Sequence, residues 1–501
     1  MLFPVNIPFK FTSTLGNPID EETETMEFMI PLNSQDARPL YEQIYQYIKN
    51  EIRNGNLKPD KRLPSSRELA KNLKVSRSTT QLAYEQLVSE GYLEAVPRKG
   101  YFAAELDGLL PPVSGEGRTC RPEGKKDLPV LWKVDFSPRG IDLKSFPFST
   151  WRKINRTILK EEEVEIFLKG DPQGDLPLRE AIREYLHGAR GVNCTADQII
   201  VGAGNEYLLM LLSQLLGNHM GIAMENPTYK QAFRVLSGMG HPVFPVGMDE
   251  SGLMVSELRN LSVSVAYVMP SHQFPMGIVM PVKRRQELLA WAGEMPGRYL
   301  IEDDYDSEFR YKGKPIPALQ GMDQNGCVIY MGTFSKAIAP AIRVGYMVLP
   351  AGLLKKYREQ ARFYSSTVSR VDQRLLAQFL AGGYFERHLN RMREIYKAKH
   401  DTLLAALKPL EEIFAIGGEF AGLHVLLSHR GKMTEEELVE TAARAGVKVY
   451  GLSGFFIHKG HARQTKTVIL GYASLSETEI REGAALLLEA FDVPVQQERK
   501  E

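Results

Sequence analysis

Cysteine is scarce in this sequence, and it has no long apolar run. The 501 residues include three cysteines, Cys120, Cys194 and Cys327, which are far apart and form no C-x-x-C pair. This spacing argues against a disulfide framework or a metal site and fits a reducing compartment. No apolar run approaches the roughly 18 residues that span a bilayer, and residues 1–30 lack the pattern of a signal peptide. We therefore expect a cytoplasmic protein without a membrane or metal partner.

A strong net charge is also lacking, so no global field marks the whole chain as a nucleic-acid binder. The sequence has 62 basic and 61 acidic residues. Basic residues are nevertheless concentrated locally, because residues 38–102 contain twelve Lys and Arg against seven Asp and Glu. Such a surplus is the electrostatic signature of a DNA-binding module, and solvated charges on an accessory helical domain are the alternative.

The segment 35–103 has the pattern of three helices followed by a hairpin. Apolar residues recur at helical spacing in residues 38–54. Ser65 and Ser76 are placed as N-caps of two further helices, and an acid three residues after Ser65 completes a capping box. Residues 92–103 have the pattern of two strands joined by a basic tip. This order predicts a winged helix-turn-helix.

A winged helix-turn-helix contacts DNA from three places. The first residues of the recognition helix face base edges, and the wing reaches a neighbouring groove or the DNA backbone. The N-terminus of the preceding helix offers backbone amides to a phosphate. The candidate DNA-binding residues are therefore Ser65, Ser66, Arg67, Ser76, Arg77, Thr79, Thr80, Arg98 and Lys99.

The remainder of the chain divides by composition. Residues 1–34 are expected to be a disordered extension, and residues 104–133, which contain several Pro and Gly, predict a linker. From 134 to 495, short apolar runs alternate with helical stripes. This alternation predicts an α/β domain with a mostly parallel sheet, helices on both faces and a small C-terminal α+β unit. The predicted strands are 199–201, 263–269, 299–303, 328–331 and 344–349.

A lysine preceded by two small hydroxyl residues follows the fourth of these strands. Residues 331–336 are Met-Gly-Thr-Phe-Ser-Lys, and Arg343 comes shortly after them. The Lys336 amine can form a Schiff base with an aldehyde cofactor, while Thr333, Ser335 and Arg343 hold the cofactor's phosphate. The alternative is a surface lysine in a loop.

Another predicted strand ends in acidic and phenolic side chains. Asp303 or Asp304 can keep the pyridine nitrogen of a cofactor protonated, and Tyr305 can hydrogen-bond the ring oxygen. The spacing between Asp303 and Lys336 suffices for one strand–helix–strand passage, so both ends can meet in one site. The spacing favours Asp303, and a helix cap is the ordinary alternative.

Two further strand ends add groups suited to the same cofactor. Gly204 and Asn205 join a strand to a helix, where backbone amides suit a phosphate. Tyr229 offers a flat ring that can stack on a cofactor. A tight turn and a core aromatic are the alternatives, so the prediction depends on all these features occurring together with Lys336.

These motifs carry two family resemblances. Residues 39–44, 63–70 and 75–79 resemble the DNA-binding domain of GntR-type regulators. Residues from about 134 to 490 look like a fold-type I aminotransferase that binds pyridoxal 5'-phosphate (PLP). Together, the two parts resemble a MocR/GabR-type transcriptional regulator. Further matching text in the second part is at 146–151, 170–174, 178–182 and 391–396.

The resemblance implies a role for each candidate residue. Lys336 corresponds to the Schiff-base lysine, Asp303 to the pyridine partner and Tyr305 to the ring-oxygen contact. The family usually has tyrosine at Lys169, which reaches the neighbouring subunit's phosphate, and a lysine can serve there by charge. The other cofactor-binding residues are Tyr229 for stacking and Gly204, Asn205, Thr333, Ser335 and Arg343 for the phosphate.

Two departures from the enzymes bear on function. Phe274 stands where aminotransferases commonly have asparagine, as an aromatic does in many of these regulators. Residues 467–472 lack the arginine with which the enzymes bind a substrate carboxylate, which disfavours turnover of α-amino acids.

The resemblance therefore implies a homodimeric PLP-binding regulator. It would bind operator DNA through its winged helix and sense PLP, an amine or an amino acid at Lys336. One alternative is a catalytically active PLP-dependent aminotransferase, and another is a protein that senses PLP itself. If the protein is a regulator, we expect its transaminase activity to be weak or vestigial.

Overall fold

The computed structural model describes eight ranges of the chain, which divides into two compact units, residues 1–128 and 129–501. The predicted extension 1–34 and the predicted linker 104–133 lie largely outside the described residues, so these boundaries stay predictions. The described ranges are 30–33, 36–106, 131–160, 164–217, 219–311, 316–418, 421–457 and 465–492.

The first unit contains three helices and one hairpin. The helices are α1 (Leu40–Arg53), α2 (Ser66–Leu73) and α3 (Arg77–Ser89), and the hairpin pairs β1 (Leu93–Val96) with β2 (Gly100–Ala103). Apolar side chains from all five elements form one core. This arrangement confirms the predicted winged helix-turn-helix.

Local side-chain bonds begin the last two helices of this unit. The Ser65 and Ser76 hydroxyls each accept a hydrogen bond from a backbone amide three residues later, both at 3.2 Å. These bonds satisfy amides that a helix N-terminus leaves unpaired. The hydroxyl of Tyr84, from the buried face of α3, donates to the carbonyl of Pro64 at 3.0 Å and ties α3 to the start of α2.

The second unit alternates strands and helices before a smaller C-terminal sheet. The strands are β3 (Val134–Asp135), β4 (Ile199–Gly202), β5 (Ile222–Glu225), β6 (Val243–Val246), β7 (Met248–Asp249), β8 (Gly252–Leu253), β9 (Val265–Val268), β10 (Tyr299–Asp304), β11 (Val328–Thr333), β12 (Gly345–Val348), β13 (Phe414–Gly417), β14 (His424–His429), β15 (Val447–Lys448), β16 (Tyr450–Gly451) and β17 (Thr467–Gly471).

The α-helices of this unit lie between and after the strands. None of the helices in the described part of the chain is both long enough and apolar enough to cross a membrane. They are α4 (Phe148–Ile158), α5 (Leu176–Arg190), α6 (Asn205–Leu216), α7 (Lys230–Gly238), α8 (Val255–Arg259), α9 (Val282–Gly293), α10 (Ala351–Gln360), α11 (Arg370–Ala381), α12 (Tyr384–Leu407), α13 (Glu435–Arg444) and α14 (Glu477–Ala490).

A seven-stranded sheet in the order β4-β12-β11-β10-β9-β5-β6 organises the unit. Adjacent strands in this sheet are parallel, except that β12 runs antiparallel to both β4 and β11. The structure confirms the mostly parallel sheet predicted from the sequence. The sheet is mixed, because one of its seven strands, β12, is antiparallel to its neighbours. The sequence prediction missed β6, because Pro245 interrupts its short apolar run, and proline is tolerated in a strand at the edge of a sheet, where β6 lies.

Helices cover both faces of this sheet. Ile329 and Met331 of β11 pack in one apolar cluster with α6 and α10, whereas Tyr330, between them, packs in another with α5 and α11. Successive strand residues point to opposite faces, so a strand covered on both sides is apolar throughout. The carboxyl ends of the strands remain free to present polar groups.

The C-terminal part forms a four-stranded antiparallel sheet in the order β13-β14-β17-β16. Buried side chains of α12, α13 and α14 pack on it, among them Leu403, Leu438 and Ile480. Strand β3 pairs with β15, so the chain entering the second unit is fixed beside this sheet.

We predict that Leu212→Ala destabilises the second unit by about 2–5 kcal/mol, because Leu212 is completely buried in α6 and its loss leaves a cavity. Met210 lies on the same helix with 47% exposure, and Met210→Ala is the matched control, expected within about 0.5 kcal/mol of wild type. Denaturant unfolding of the full chain measures both. Equal effects of the two substitutions would contradict the assigned packing.

Candidate functional site

A cavity of ≈ 310 Å³ opens where β10 and β11 end. The parallel register pairs Asp303 with Met331, so the residues that follow both strands reach the same edge of the sheet. Predicted cofactor residues from several strand ends line this cavity together: Asn205, Tyr229, Asp303, Tyr305, Thr333, Ser335, Lys336 and Arg343.

The Lys336 amine lies in the cavity wall and donates to the carbonyl of Pro138 at 3.2 Å. Burial lowers the pKa of Lys336 to about 8; the Asp306 carboxylate opposes this shift, and the Arg139 guanidinium adds to it. A larger fraction of the amine is therefore neutral near pH 7 than for an ordinary lysine. A neutral amine is the form that attacks a carbonyl carbon.

The structure distinguishes the two adjacent aspartates. Asp303 lines the cavity, where it accepts hydrogen bonds from the Tyr267 hydroxyl and, at 3.2 Å, from the Asn205 amide. Asp304 is buried elsewhere in an ion pair with Arg190, at 2.8 Å. The geometry thus favours Asp303 as the group available to a ligand in the cavity.

Burial raises the pKa of Asp303 to about 7, although the bond from Tyr267 acts in the opposite direction. A carboxylate in such a place needs a nearby positive charge to stay ionised. The protonated nitrogen of a pyridine ring would supply that charge.

Tyr305 belongs to a buried network that the sequence analysis did not predict. Its hydroxyl lies 2.9 Å from Nδ1 of His272, and the Asp306 carboxylate oxygens lie 3.0 and 3.1 Å from the same nitrogen. His272 and Asp306 are far apart in the sequence, so no local spacing signalled the pair. The network fixes the direction of the Tyr305 hydroxyl at the cavity.

The predicted phosphate residues surround the start of α6. Gly204 has φ +90°, and a Cβ there would lie 2.5 Å from Nη2 of Arg343, so glycine allows the guanidinium to approach the backbone. Arg343 also pairs with Glu206 at 2.8 Å. Ser335 donates its amide to the Thr333 hydroxyl at 3.1 Å. Hydroxyls, a helix N-terminus and a guanidinium together suit a phosphate dianion.

Lys169 does not line the Lys336 cavity of its own chain. It lines a second cavity of ≈ 280 Å³, together with Asp175 and Arg370. Arg370 and Asp175 form an ion pair at 2.9 Å there. The predicted role of Lys169 therefore requires the site of a neighbouring subunit.

Most predicted DNA-binding residues of the first unit are accessible. Ser66 and Thr79 are half-buried, and the exposed ones are Ser65, Arg67, Ser76, Arg77, Arg98 and Lys99. Accessibility leaves their roles as predictions.

Thr80 is a correction to the predicted DNA surface. It is completely buried, and its hydroxyl donates to the carbonyls of Ser66 at 2.7 Å and Arg77 at 3.0 Å. Thr80 thus fastens α3 to α2 and is not available to a base. Gln81 is exposed on α3 instead, where its amide donates to Glu85 at 2.9 Å; the sequence analysis did not single it out.

We predict that Asp306→Asn shifts the pH dependence of Lys336 reactivity to lower pH. The Asp306 carboxylate raises the pKa of Lys336, which lies at about 8, so its neutralisation frees the neutral amine at lower pH. The rate of PLP uptake, followed by visible absorbance at several pH values, gives the midpoint. Glu359→Gln, an exposed acid on α10, is the control and should leave the midpoint unchanged. A shift to higher pH would contradict the assigned contacts.

Comparison with known proteins accounts for both units. A family model described as aminotransferase class I and II matches residues 142–487, and one described as bacterial regulatory proteins, gntR family, matches residues 40–102. The chain is 40% identical to the uncharacterized HTH-type transcriptional regulator YdeL of Bacillus subtilis, over 91% of this chain and 97% of that protein.

Two further regulators show the same full-length similarity. The probable rhizopine catabolism regulatory protein MocR of Rhizobium meliloti is 32% identical, over 92% of this chain and 96% of that protein. The pyridoxine biosynthesis regulator PdxR of Corynebacterium glutamicum is also 32% identical, over 90% and 96%. Both matches extend across most of the chain, so they include both units.

Solved structures share the fold of the second unit. Kynurenine aminotransferase of Pyrococcus horikoshii, in complex with PMP, has a TM-score of 0.63 and 26% identity, over 73% of this chain and 92% of that chain. The multiple substrate aminotransferase of Thermococcus profundus has a TM-score of 0.64, with the same identity and coverage.

The class I and II aminotransferase fold implies PLP as the cofactor. The residues of this chain suit it, because Asp303 is a buried acid that needs a cation and Gly204 lets the Arg343 guanidinium approach the start of α6, where a phosphate needs donors. The chain therefore belongs to the MocR-type family of HTH transcriptional regulators, in which a gntR-type winged helix and an aminotransferase-like PLP-binding domain are parts of one polypeptide.

Proposed function

We propose that this protein binds operator DNA through its first unit and that an amine or amino acid, acting at Lys336, changes that binding. The observation that carries the proposal is a single cavity with a low-pKa lysine, a buried acid and a phosphate-type cradle on the same chain as an exposed basic helix–turn–helix. DNA binding by the first unit and ligand binding by the second are separate activities, and their presence on one chain supports the proposal that the second regulates the first.

The residues of the cavity have separate roles in this proposal. When bound, PLP supplies an electrophilic aldehyde carbon and an electron-withdrawing ring. Lys336 would provide the amine that meets the aldehyde, and Asp303 would hold a proton on the ring nitrogen. Tyr305, held by His272, would donate a hydrogen bond to the ring oxygen, and Tyr229 would stack on the ring.

The phosphate would be held by groups that the fold has already collected. The amides at the start of α6, near Gly204 and Asn205, point toward an anion, as helix N-termini do. Thr333 and Ser335 offer hydroxyls, and Arg343 offers a guanidinium. In the homodimer that we propose, Lys169 adds a cation to the neighbouring subunit's phosphate.

Regulation requires the ligand to interact differently with two states of the protein. A ligand with equal affinity for both states shifts nothing. With PLP in the cavity, an amine ligand would take the place of the Lys336 amine, so the chain would lose a contact there and the ligand would add contacts of its own. The states of the first unit that differ in DNA affinity would be biased by that exchange.

Homodimer formation is supported by apolar side chains exposed on the second unit. Phe148, Val164, Phe167 and Leu168 have exposures of 62%, 64%, 71% and 62%. Large apolar patches on a single chain mark surfaces that another protein covers.

DNA binding by the first unit further supports action in the cytoplasm, where a bacterial regulator meets its operator.

An active PLP-dependent aminotransferase is the second candidate. The complete set of cofactor residues around Lys336 favours it, since such a site is also able to move a proton on a bound amine. The C-terminal sheet disfavours it, because Ile469 of β17 is buried among Leu426 and Leu452 where the enzymes need a carboxylate-binding arginine nearby.

We predict that Lys336→Ala abolishes the visible absorbance that PLP gives to the full-length protein and also abolishes any effect of amines on DNA binding. DNA affinity without ligand should stay within about twofold, because substitutions away from a binding surface leave it largely unchanged. Fluorescence anisotropy with DNA selected from a random-sequence pool measures the affinity.

Lys355→Ala, an exposed lysine on α10, is the matched control and should behave as wild type. An amine response that survives Lys336→Ala would exclude Lys336 as the sensing group. Steady transamination over many turnovers by a protein without DNA affinity would favour the enzyme.

We predict that Arg77→Ala weakens binding to the selected DNA by roughly 5- to 150-fold, because a bidentate arginine–base contact contributes about 1–3 kcal/mol. Anisotropy titrations at two salt concentrations separate a base contact from a phosphate contact, since only the loss of a phosphate contact reduces the salt dependence. An unchanged DNA affinity of Arg77→Ala would contradict the prediction that the N-terminus of α3 contacts DNA.

A further inference from the structure

Among the described residues that line the Lys336 cavity, none of the cations belongs to the C-terminal sheet. Strand β17 consists of Thr-Val-Ile-Leu-Gly, and its central residue, Ile469, is completely buried in an apolar cluster. Phe455, next to this cluster, makes an edge contact with Phe274 of the cavity wall, with ring centroids 5.2 Å apart. This side of the site therefore offers apolar surface where a ligand carboxylate would need a charge.

A neighbouring segment, residues 136–140, lies against the end of β17. The Gly471 amide donates to the carbonyl of Phe136 at 2.9 Å. A Cβ on Gly471 would lie 2.4 Å from Cα of Pro138, and a Cβ on Gly140 would lie 2.4 Å from the Ser474 hydroxyl oxygen. These close contacts, which glycine alone permits, fix the segment in place.

This segment delivers a guanidinium to the cavity. Pro138 and Arg139 both line the cavity, and the Pro138 carbonyl accepts the 3.2 Å hydrogen bond from Lys336. The charge of Arg139 also acts on its surroundings, because it lowers the pKa of Lys336 and opposes the burial that raises the pKa of Tyr229. Arg139 is therefore near both the Lys336 amine and the Tyr229 ring.

Arg139 is the cation in the cavity that the proposed cofactor does not need. Lys336 supplies the amine, and Arg343 is already paired with Glu206 and belongs to the phosphate cradle. Arg139 is exposed to the cavity, and no hydrogen bond or ion pair links it to another described residue. The Arg343 pair also neutralises Glu206, the acid that lines the cavity beside these cations.

We propose that Arg139 binds the carboxylate of the ligand, so that the effector is a primary amine that also carries a carboxylate. This inference rests on the function proposed above and names its ligand class. A guanidinium presents paired donors that match a carboxylate in a bidentate geometry. The carboxylate is held by the segment attached to β17, while the amine lies at Lys336.

The test uses the full-length, PLP-loaded protein and pairs of ligands that differ only by a carboxylate in place of a methyl group. The pairs are isopropylamine with alanine, propylamine with β-alanine and butylamine with 4-aminobutanoate. Titration of the visible absorbance gives a midpoint for each ligand. In wild type, the carboxylate should lower the midpoint roughly ten- to hundredfold in at least one pair, as expected for a charge-assisted hydrogen bond.

Arg139→Gln should remove this ratio, and Arg139→Lys should restore part of it by charge. The loss of the guanidinium also raises the pKa of Lys336, but this change acts equally on a plain amine and its carboxylated partner and cancels in the ratio. Gln231, an uncharged residue that lines the same cavity, provides the matched control: Gln231→Ala should keep the ratio. The retained amine response in Arg139→Gln also shows that this variant is folded.

Two results would overturn the inference and leave the proposed function standing. One is a wild-type protein that responds to amines and carboxylated amines with equal midpoints. The other is a carboxylate ratio that persists in Arg139→Gln. A PLP-loaded wild type whose absorbance and DNA binding respond to no amine at all would overturn the proposed function together with the inference.

Discussion

The site depends on negative charge buried at the end of one strand. Glu302, Asp303 and Asp304 are all nearly inaccessible to solvent. Glu302 accepts hydrogen bonds from two backbone amides, and Asp304 forms an ion pair with Arg190. Asp303 instead faces the cavity and contacts neutral donors, so burial raises its pKa to about 7. A cationic ring bound beside Asp303 would lower that pKa again, and this electrostatic demand explains why the cavity suits PLP better than a neutral ligand.

Two cations that line the cavity with Asp303 are attached to two different sheets. Lys336 follows β11 of the central sheet, whereas Arg139 is fixed beside β17 of the C-terminal sheet. A carboxylated amine held between Lys336 and Arg139 would therefore connect residues attached to both sheets. Its interaction free energy then depends on their spacing, which is the condition that a ligand must meet to shift a conformational equilibrium.

Local patterns predicted what local physics decides. The N-cap at Ser76 and the apolar runs of the central strands were evident from the sequence, as was the placement of Lys336 at a strand end. Long-range contacts were not: Thr80 is polar in sequence, yet its hydroxyl bonds to α2 and makes it part of the core. The pairing of His272 with Asp306 likewise depends on the fold, because no helical or strand period connects them.

The central claim is that the cavity and the DNA-binding unit influence each other, and thermodynamic linkage makes this claim symmetrical. The most direct test titrates the PLP-loaded protein with an active amine, with and without a saturating concentration of the selected DNA, and follows visible absorbance. The claim predicts that DNA shifts the ligand midpoint by the same factor by which the ligand shifts DNA affinity. Identical midpoints with and without DNA would contradict it.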